Sequence, residues 1–281
     1  MKLGVQIRPT DYSLDPREIG RMVEAHGFES LFFPEHTHIP LATRSLEPDD
    51  PDWLETCMHM IDPFVALAAV ATVTERLRLG TGVSLIVEHD PITLAKEVAT
   101  LDLLSAGRFL FGVGAGWNRA EMLDHGVDPA QRWELLREHV LAMKALWTEE
   151  RAEFHGRFVD FGPAFQWPKP SQKPHPPVLV GGEGPGVLDR VLDYGDGWMP
   201  NEHRGVDARV IDLRRRLTEL GRDPLPVTIY SVAWDRSAVE RYLAIGVERC
   251  VFTIPAFDAA GIERGLRDLR MLVGDLASGI E

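Results

Sequence analysis

The chain has 281 residues, 44% hydrophobic and 26% charged, with 43 acidic against 30 basic side chains and a formal net charge of −13. That balance is ordinary for a soluble globular protein and argues against a nucleic-acid surface, which needs clustered Lys and Arg to neutralise phosphates. Two cysteines, Cys57 and Cys250, make no disulfide framework, no apolar run nears the roughly 20 residues of a membrane span, and the opening MKLGVQI lacks a signal-peptide core, so a cytoplasmic protein is expected.

The elements follow one grammar. Asp15-Pro16, Asp62-Pro63 and Asp90-Pro91 each precede an amphipathic stretch. Asp accepts from the free N–H groups of a first helical turn, and Pro there removes a donor that would be unpaired anyway. Gly27, Gly107, Gly195, Gly221 and Gly246 each stand a few residues before a short apolar run, where glycine can close a helix in the left-handed conformation. In chain order the pattern predicts strand 3–7, helix 16–26, strand 30–34, a long connection over 35–61, helix 63–75, strand 77–85, helix 91–104, strand 108–113 and helix 131–147. An insertion over 152–177 begins as a hairpin turning at His155-Gly156 and ends proline-rich and extended. Then come strand 177–180, helix 187–193, strand 197–199, helix 207–220, strand 227–232, helix 237–245, strand 249–254 and a last helix over 262–276. Trp133, Leu136, Val140, Met143 and Trp147 fall at spacings of 3, 4, 3 and 4, one helix face, and are read as core. Eight strands alternating with eight helices predict an α/β fold of one domain over 1–281, a (β/α)8 TIM barrel. Its insertions follow strand 2 and separate helix 4 from strand 5.

In such a barrel the chemistry sits at the C-terminal ends of the strands. The first strand delivers Gln6 and Arg8, the second Glu35, His36 and His38, and the third the run GTGV at 80–83. The fourth delivers Gly114, Ala115, Gly116, Trp117 and Asn118, and the fifth Gly181, Gly182, Glu183 and Gly184. The stretch RFLFGVGAGWNRAEM is not a dinucleotide fingerprint. It follows the fourth strand, it places Trp117 where the third glycine of G-x-G-x-x-G belongs, and no acidic ribose partner ends the expected strand. Both glycine outlets stand between a strand and a helix, where backbone N–H groups can hold an anion. Gly82 and Val83, in a strand of small residues, leave backbone against which a flat ring can lie. His36 at a strand mouth can give or take a proton near neutral pH, with Glu35 beside it. His36 and His38 alternate like paired metal ligands, but the fifth strand ends in glycines and the eighth in Thr-Ile-Pro-Ala where further ligands would be needed, so no metal is expected.

PEH after the second strand, LGTGV in the third, SAGRFLFGVGAGWN through the fourth, ALWTEERAEFHGRFVDF, PKPSQKPHPPVLVGG and GDGWMP occur in order over nearly the whole chain. In this the sequence resembles the luciferase-like monooxygenase superfamily, and within it the oxidoreductases that use the deazaflavin coenzyme F420. The resemblance implies a flavin-like tricycle across the barrel mouth and a non-proline cis peptide at Gly82-Val83. It places the cofactor's phosphate-bearing arm on the loops at 114–118 and 181–184. It implies F420, with FMN as the alternative, and a small-molecule substrate. His36 would be the proton donor or acceptor, tuned by Glu35. An FMN enzyme would combine reduced flavin with oxygen and draw on a partner reductase, and a barrel that binds flavin without catalysis is a third possibility. Relatives often dimerise, so a homodimer is expected. Trp117 stands where the sugar-phosphate dehydrogenases of the branch carry Glu, which turns the expectation away from a sugar phosphate.

Overall fold

The computed structural model describes residues 1–46 and 51–277. In chain order they form β1 (Lys2–Gln6), α1 (Pro16–Ala25), β2 (Ser30–Phe33), α2 (Pro51–Met58), α3 (Pro63–Ala71), β3 (Arg78–Thr81), β4 (Ser84–Leu85), α4 (Pro91–Leu104), β5 (Phe109–Gly114), α5 (Arg119–Asp124) and α6 (Arg132–Thr148). They continue with β6 (Ala152–His155), β7 (Asp160–Ala164), β8 (Val178–Gly181), α7 (Val187–Tyr194), β9 (Gly197–Met199), α8 (Val206–Glu219), β10 (Thr228–Ile229), α9 (Arg236–Ala244), β11 (Arg249–Thr253) and α10 (Ala259–Val273). Asp15, Asp62 and Asp90 cap their helices as expected, accepting from Arg17 N, Val65 N and Thr93 N. Each such cap contributes about 1 kcal/mol.

The main sheet runs β10-β11-β1-β2-β3-β5-β8-β9, with β4 on β5. Every ladder in it is parallel. Parallel bridges Trp198↔Val227 and Asn201↔Tyr230 join β9 to the β10 side and bring the ring to near closure. This is the (β/α)8 barrel. Strand alternation sorts the side chains. Leu31 and Phe33 of β2 face the helices in the outer core, whereas Phe32 points inward. There it joins Leu110, Leu179, Met199, Tyr230 and Val251 in a small interior cluster. The β6–β7 pair is an antiparallel hairpin apart from the barrel, turning after His155 as expected. Among the described residues no helix is long and apolar enough to cross a membrane.

Four readings change. The strand expected over 77–85 is two, β3 and β4, parted at Gly82-Val83, where the peptide is cis. The connection over 35–61 contains a 3-10 turn at Leu41–Leu46 and the helix α2; residues 47–50 lie outside the described residues. A short helix, α5, follows the glycines of β5 and precedes the long α6. Trp133 is not core: at the first turn of α6 the residue is 36% exposed, while Leu136, Val140, Met143 and Trp147 on the same face are buried.

Candidate active site

A cavity of about 360 Å³ opens at the C-terminal ends of the barrel strands. Gly82 and Val83, Gly114 to Trp117, and Gly181 to Glu183 line it from three successive outlets. Glu35 and His36 reach it after β2, Gln6 and Arg8 after β1, and Tyr230 and Ser231 after β10. Trp53, Cys57 and Met60 of the long connection and Trp133 of α6 complete the rim. The glycine outlets and the His36 outlet, far apart in the sequence, thus meet in one place. Asn118 and Gly184 do not line the cavity. Asn118 is buried as the cap of α5, its side chain accepting from Ala120 N and Glu121 N and taking a hydrogen bond from Thr43 Oγ1 at 3.0 Å. Gly184 is exposed beyond the rim.

The glycines of the floor are there for a reason. Val83 sits between two missing side chains: a Cβ on Gly114 would stand 2.7 Å from its Cγ2, and one on Gly181 2.8 Å from its Cγ1. A Cβ on Gly82 would collide with the hydroxyl of Tyr230. That hydroxyl has no hydrogen-bond partner among the described residues, and burial pushes its pKa far above the usual phenol value. The amides of Ala115, Gly116, Gly182 and Glu183 find no acceptor among the described residues. Beside them Arg209 donates to the carbonyls of Glu183 and Gly184. The Arg190 and Arg132 guanidiniums lie 4.0 and 4.7 Å from the centroid of the Trp133 ring. The side chain of Glu183 turns aside to Asn201, accepting from its N and Nδ2 at 2.7 and 2.8 Å.

His36 is held by Glu121, not by Glu35. Its Nδ1 lies 2.7 Å from Glu121 Oε2, and Trp117 Nε1 donates to its Nε2 at 3.2 Å. A donor on Nε2 places the neutral ring's hydrogen on Nδ1 and leaves a lone pair on the Trp117 side. Burial works to raise the pKa of Glu121, but the His36 hydrogen bond and charge and the amides of Thr37 and His38 outweigh it, so the carboxyl stays below its usual range. Glu35 points the other way. It accepts from Ser84 Oγ at 2.8 Å, Leu85 N at 2.6 Å and His89 Nε2 at 2.9 Å. Burial opposes protonation of His89, yet the Glu35 hydrogen bond and charge raise its pKa. His38 bonds Asp124 at 3.1 Å, so the two histidines of the PEHTH run serve different carboxylates. Among the described residues no group of three or more His, Cys, Asp or Glu could hold a metal.

Glu121, the carboxylate that holds His36, is the residue of this cluster that the sequence alone does not point to. Its signal is local: Asn118 caps α5, and Glu121 stands three residues on, the spacing of a capping box. Here the carboxylate turns inward instead. Trp53 is likewise missed as a lining residue; its ring is 5.1 Å from that of Trp117 and 6.4 Å from His36, so three rings bound one side of the cavity.

The model of a family described as luciferase-like monooxygenase matches residues 12–247. An uncharacterized protein of Mycobacterium tuberculosis is 42% identical over 274 residues, 94% of this chain and 97% of that one. An F420-dependent glucose-6-phosphate dehydrogenase of Kineococcus radiotolerans is 30% identical over 66% of this chain and 51% of its own. An FMNH2-dependent dimethylsulfone monooxygenase of Pseudomonas putida is 30% identical over 54% and 43%. The fold of monooxygenase RslO1 from Streptomyces bottropensis superposes with a TM-score of 0.80 at 21% identity, covering 98% of both chains. The family thus has F420- and FMN-dependent members. The chain belongs to the luciferase-like monooxygenase family.

Proposed function

We propose that the cavity holds a deazaflavin of the coenzyme F420 type and that the protein transfers hydride between it and a small organic substrate. His36 Nε2 gives or takes the accompanying proton. The observation that carries this reading is a His–carboxylate pair, His36 on the buried Glu121, beside a floor of backbone from Gly82, Gly114 and Gly181. A planar tricycle needs a flat face to lie on, and Val83 seated in the gaps left by Gly114 and Gly181 gives one. An anionic arm needs donors, and the acceptor-free amides of Ala115, Gly116, Gly182 and Glu183 supply them, with the Arg209 and Arg190 guanidiniums nearby. When bound, the deazaflavin would supply a ring carbon that accepts or releases hydride and does not readily activate oxygen. The chain supplies the rest. Glu121 keeps the His36 hydrogen on Nδ1 and stabilises the charged ring when Nε2 takes a proton, as a triad carboxylate does. Trp117, 44% exposed, can swing from Nε2 to admit a substrate hydroxyl or carbonyl. Trp53, Trp117, Cys57 and Met60 make that side of the cavity apolar, which favours a small apolar substrate over a sugar phosphate.

The test is anaerobic turnover of the deazaflavin, read by its visible absorbance, across small alcohols, ketones and enones. His36→Ala is expected to lower kcat by about 10²–10⁴-fold, the range for a positioned acid–base group, with cofactor affinity unchanged. Full turnover in that variant overturns the role of His36. The FMNH2-dependent relative supports a second reading, an oxygenase fed reduced FMN by a partner reductase. Oxygen uptake with reduced FMN and no deazaflavin turnover selects it.

A further inference from the structure

The hydrogen bonds on His36 do not stop at Glu121. The other oxygen of that carboxylate, Oε1, accepts from Thr37 N at 2.9 Å and from Thr37 Oγ1 at 3.2 Å. Thr37 Oγ1 lies 2.8 Å from His125 Nε2 and 2.9 Å from His38 Nδ1. The His125 side chain is 28% exposed, and His38 ends on Asp124, 58% exposed. Every group from His36 Nδ1 to the surface can therefore both receive and release a proton, and each is in hydrogen-bond reach of the next. The His36 end is buried, with 6% of the side chain exposed, so water reaches it poorly. We infer that His36, Glu121, Thr37 and His125 form a proton conduit through the barrel wall, linking the cavity's acid–base group to bulk water. The inference rests on the proposed role of His36. It answers a need of that role: His36 itself is nearly closed to solvent, whereas Thr37 and His125 reach it.

The proton balance is closed. When Nε2 takes a proton from the cavity, the hydrogen on Nδ1 passes to Glu121 Oε2. Rotation of the carboxyl presents it to Thr37, whose oxygen receives it while its own hydrogen turns to His125 Nε2. His125 then releases one proton to water from Nδ1. Run backwards, the row supplies a proton for reduction.

The groups facing this row suit it. His125 is pushed below its usual pKa by burial and next by the neighbouring His38, with His89 adding to this and Glu121 and Asp124 opposing it, so its ring is neutral at neutral pH and can accept. Glu88, with 1% of its side chain exposed, stands 3.8 Å from His125 Nε2. Neither of its oxygens has a hydrogen-bond partner among the described residues. Burial, then the charges of Glu121 and Glu35, push it up to about 8, so it is uncharged and does not trap a proton on His125.

Thr37→Val removes the hydroxyl and keeps the shape, and Thr37→Ser restores it. The first readout needs no cofactor: solvent exchange of the His36 Nδ1 proton, followed by NMR of the ring nitrogens. Exchange is expected to slow about tenfold in Thr37→Val, less than the about 10²–10⁴-fold effect of a group that touches substrate, and to recover in Thr37→Ser. The second is proton release to a pH indicator during turnover, which is expected to lag in Thr37→Val and to be rescued by added imidazole. Unchanged exchange in Thr37→Val overturns the conduit, as does slowing that Thr37→Ser fails to reverse. If no deazaflavin turnover is found, the proposed function falls, and the exchange measurement still decides for or against the conduit.

Discussion

Glu35 and His36 are adjacent in the chain and serve opposite sides of the wall. Successive side chains of an extended segment point in opposite directions, so the carboxylate next to His36 in sequence is the wrong one in space. The expected Glu35–His36 pair is replaced by His36–Glu121, and Glu35 instead ties the exit of β2 to Ser84, Leu85 and His89. Removing one partner of a buried ion pair leaves the other uncompensated, so Glu35→Ala is expected to cost about 3 kcal/mol. The pH dependence has a definite sign. The folded-state pKa of His89 is raised above its usual 6.5, so its share of stability is full below that value and is lost as pH rises through the folded pKa. Denaturant unfolding should therefore show a larger Glu35→Ala penalty at about pH 6 than at about pH 9; an equal penalty contradicts the ion pair. Glu88 has the reverse character for an acid. Its pKa is raised to about 8, so the native state holds a proton that the unfolded chain gives up above its usual 4.5, and stability declines between the two values. Glu88→Gln should raise the melting temperature by about 2–4 °C per kcal/mol recovered. It should do so at about pH 8 and not at about pH 4.5.

At the scale of elements, what the chain shows plainly is what backbone chemistry dictates. The Asp-Pro caps and the period of the apolar residues place α1, α3, α4 and α6 within a few residues, and the eight barrel strands all form. What stays hidden depends on contacts between distant segments. The helix α2 carried the same signal, Asp50-Pro51, but lay in a stretch read as connection. Trp133 shares the periodicity of its buried neighbours, and only its position at the barrel mouth separates it from them. The glycines of the third, fourth and fifth outlets were legible as loops, whereas the room that Gly114 and Gly181 leave for Val83, and Gly82 for Tyr230, is a matter of packing. Gly181→Ala places a Cβ 2.8 Å from Val83 Cγ1, an overpacking expected to cost about 1–3 kcal/mol. Adding Val83→Ala should recover most of that loss, since the two positions touch. Strict additivity in the double variant contradicts the packing of the floor.

The whole molecule is an acidic barrel that gathers an unusual set of groups at one end. A net charge of −13 repels anions on average, yet Arg132 and Arg190 stack on the rim residue Trp133, and Arg209 holds the carbonyls of Glu183 and Gly184 beside amides that find no acceptor among the described residues. Local donors, not the global field, would select an anionic arm. The barrel and the family were legible from the order of motifs, because main-chain geometry leaves its mark in glycines and caps. The carboxylate that orients His36 was not, because it is brought there by a helix eighty-odd residues downstream. The central claim is that this glycine floor and its amides hold a deazaflavin in preference to a flavin. Equilibrium titration of the purified protein with coenzyme F420 and with FMN, read by fluorescence, tests it most directly. A deazaflavin affinity at least about tenfold above that for FMN, a difference of about 1.4 kcal/mol, is the result predicted. Equal or tighter binding of FMN, or no binding of either, would contradict it.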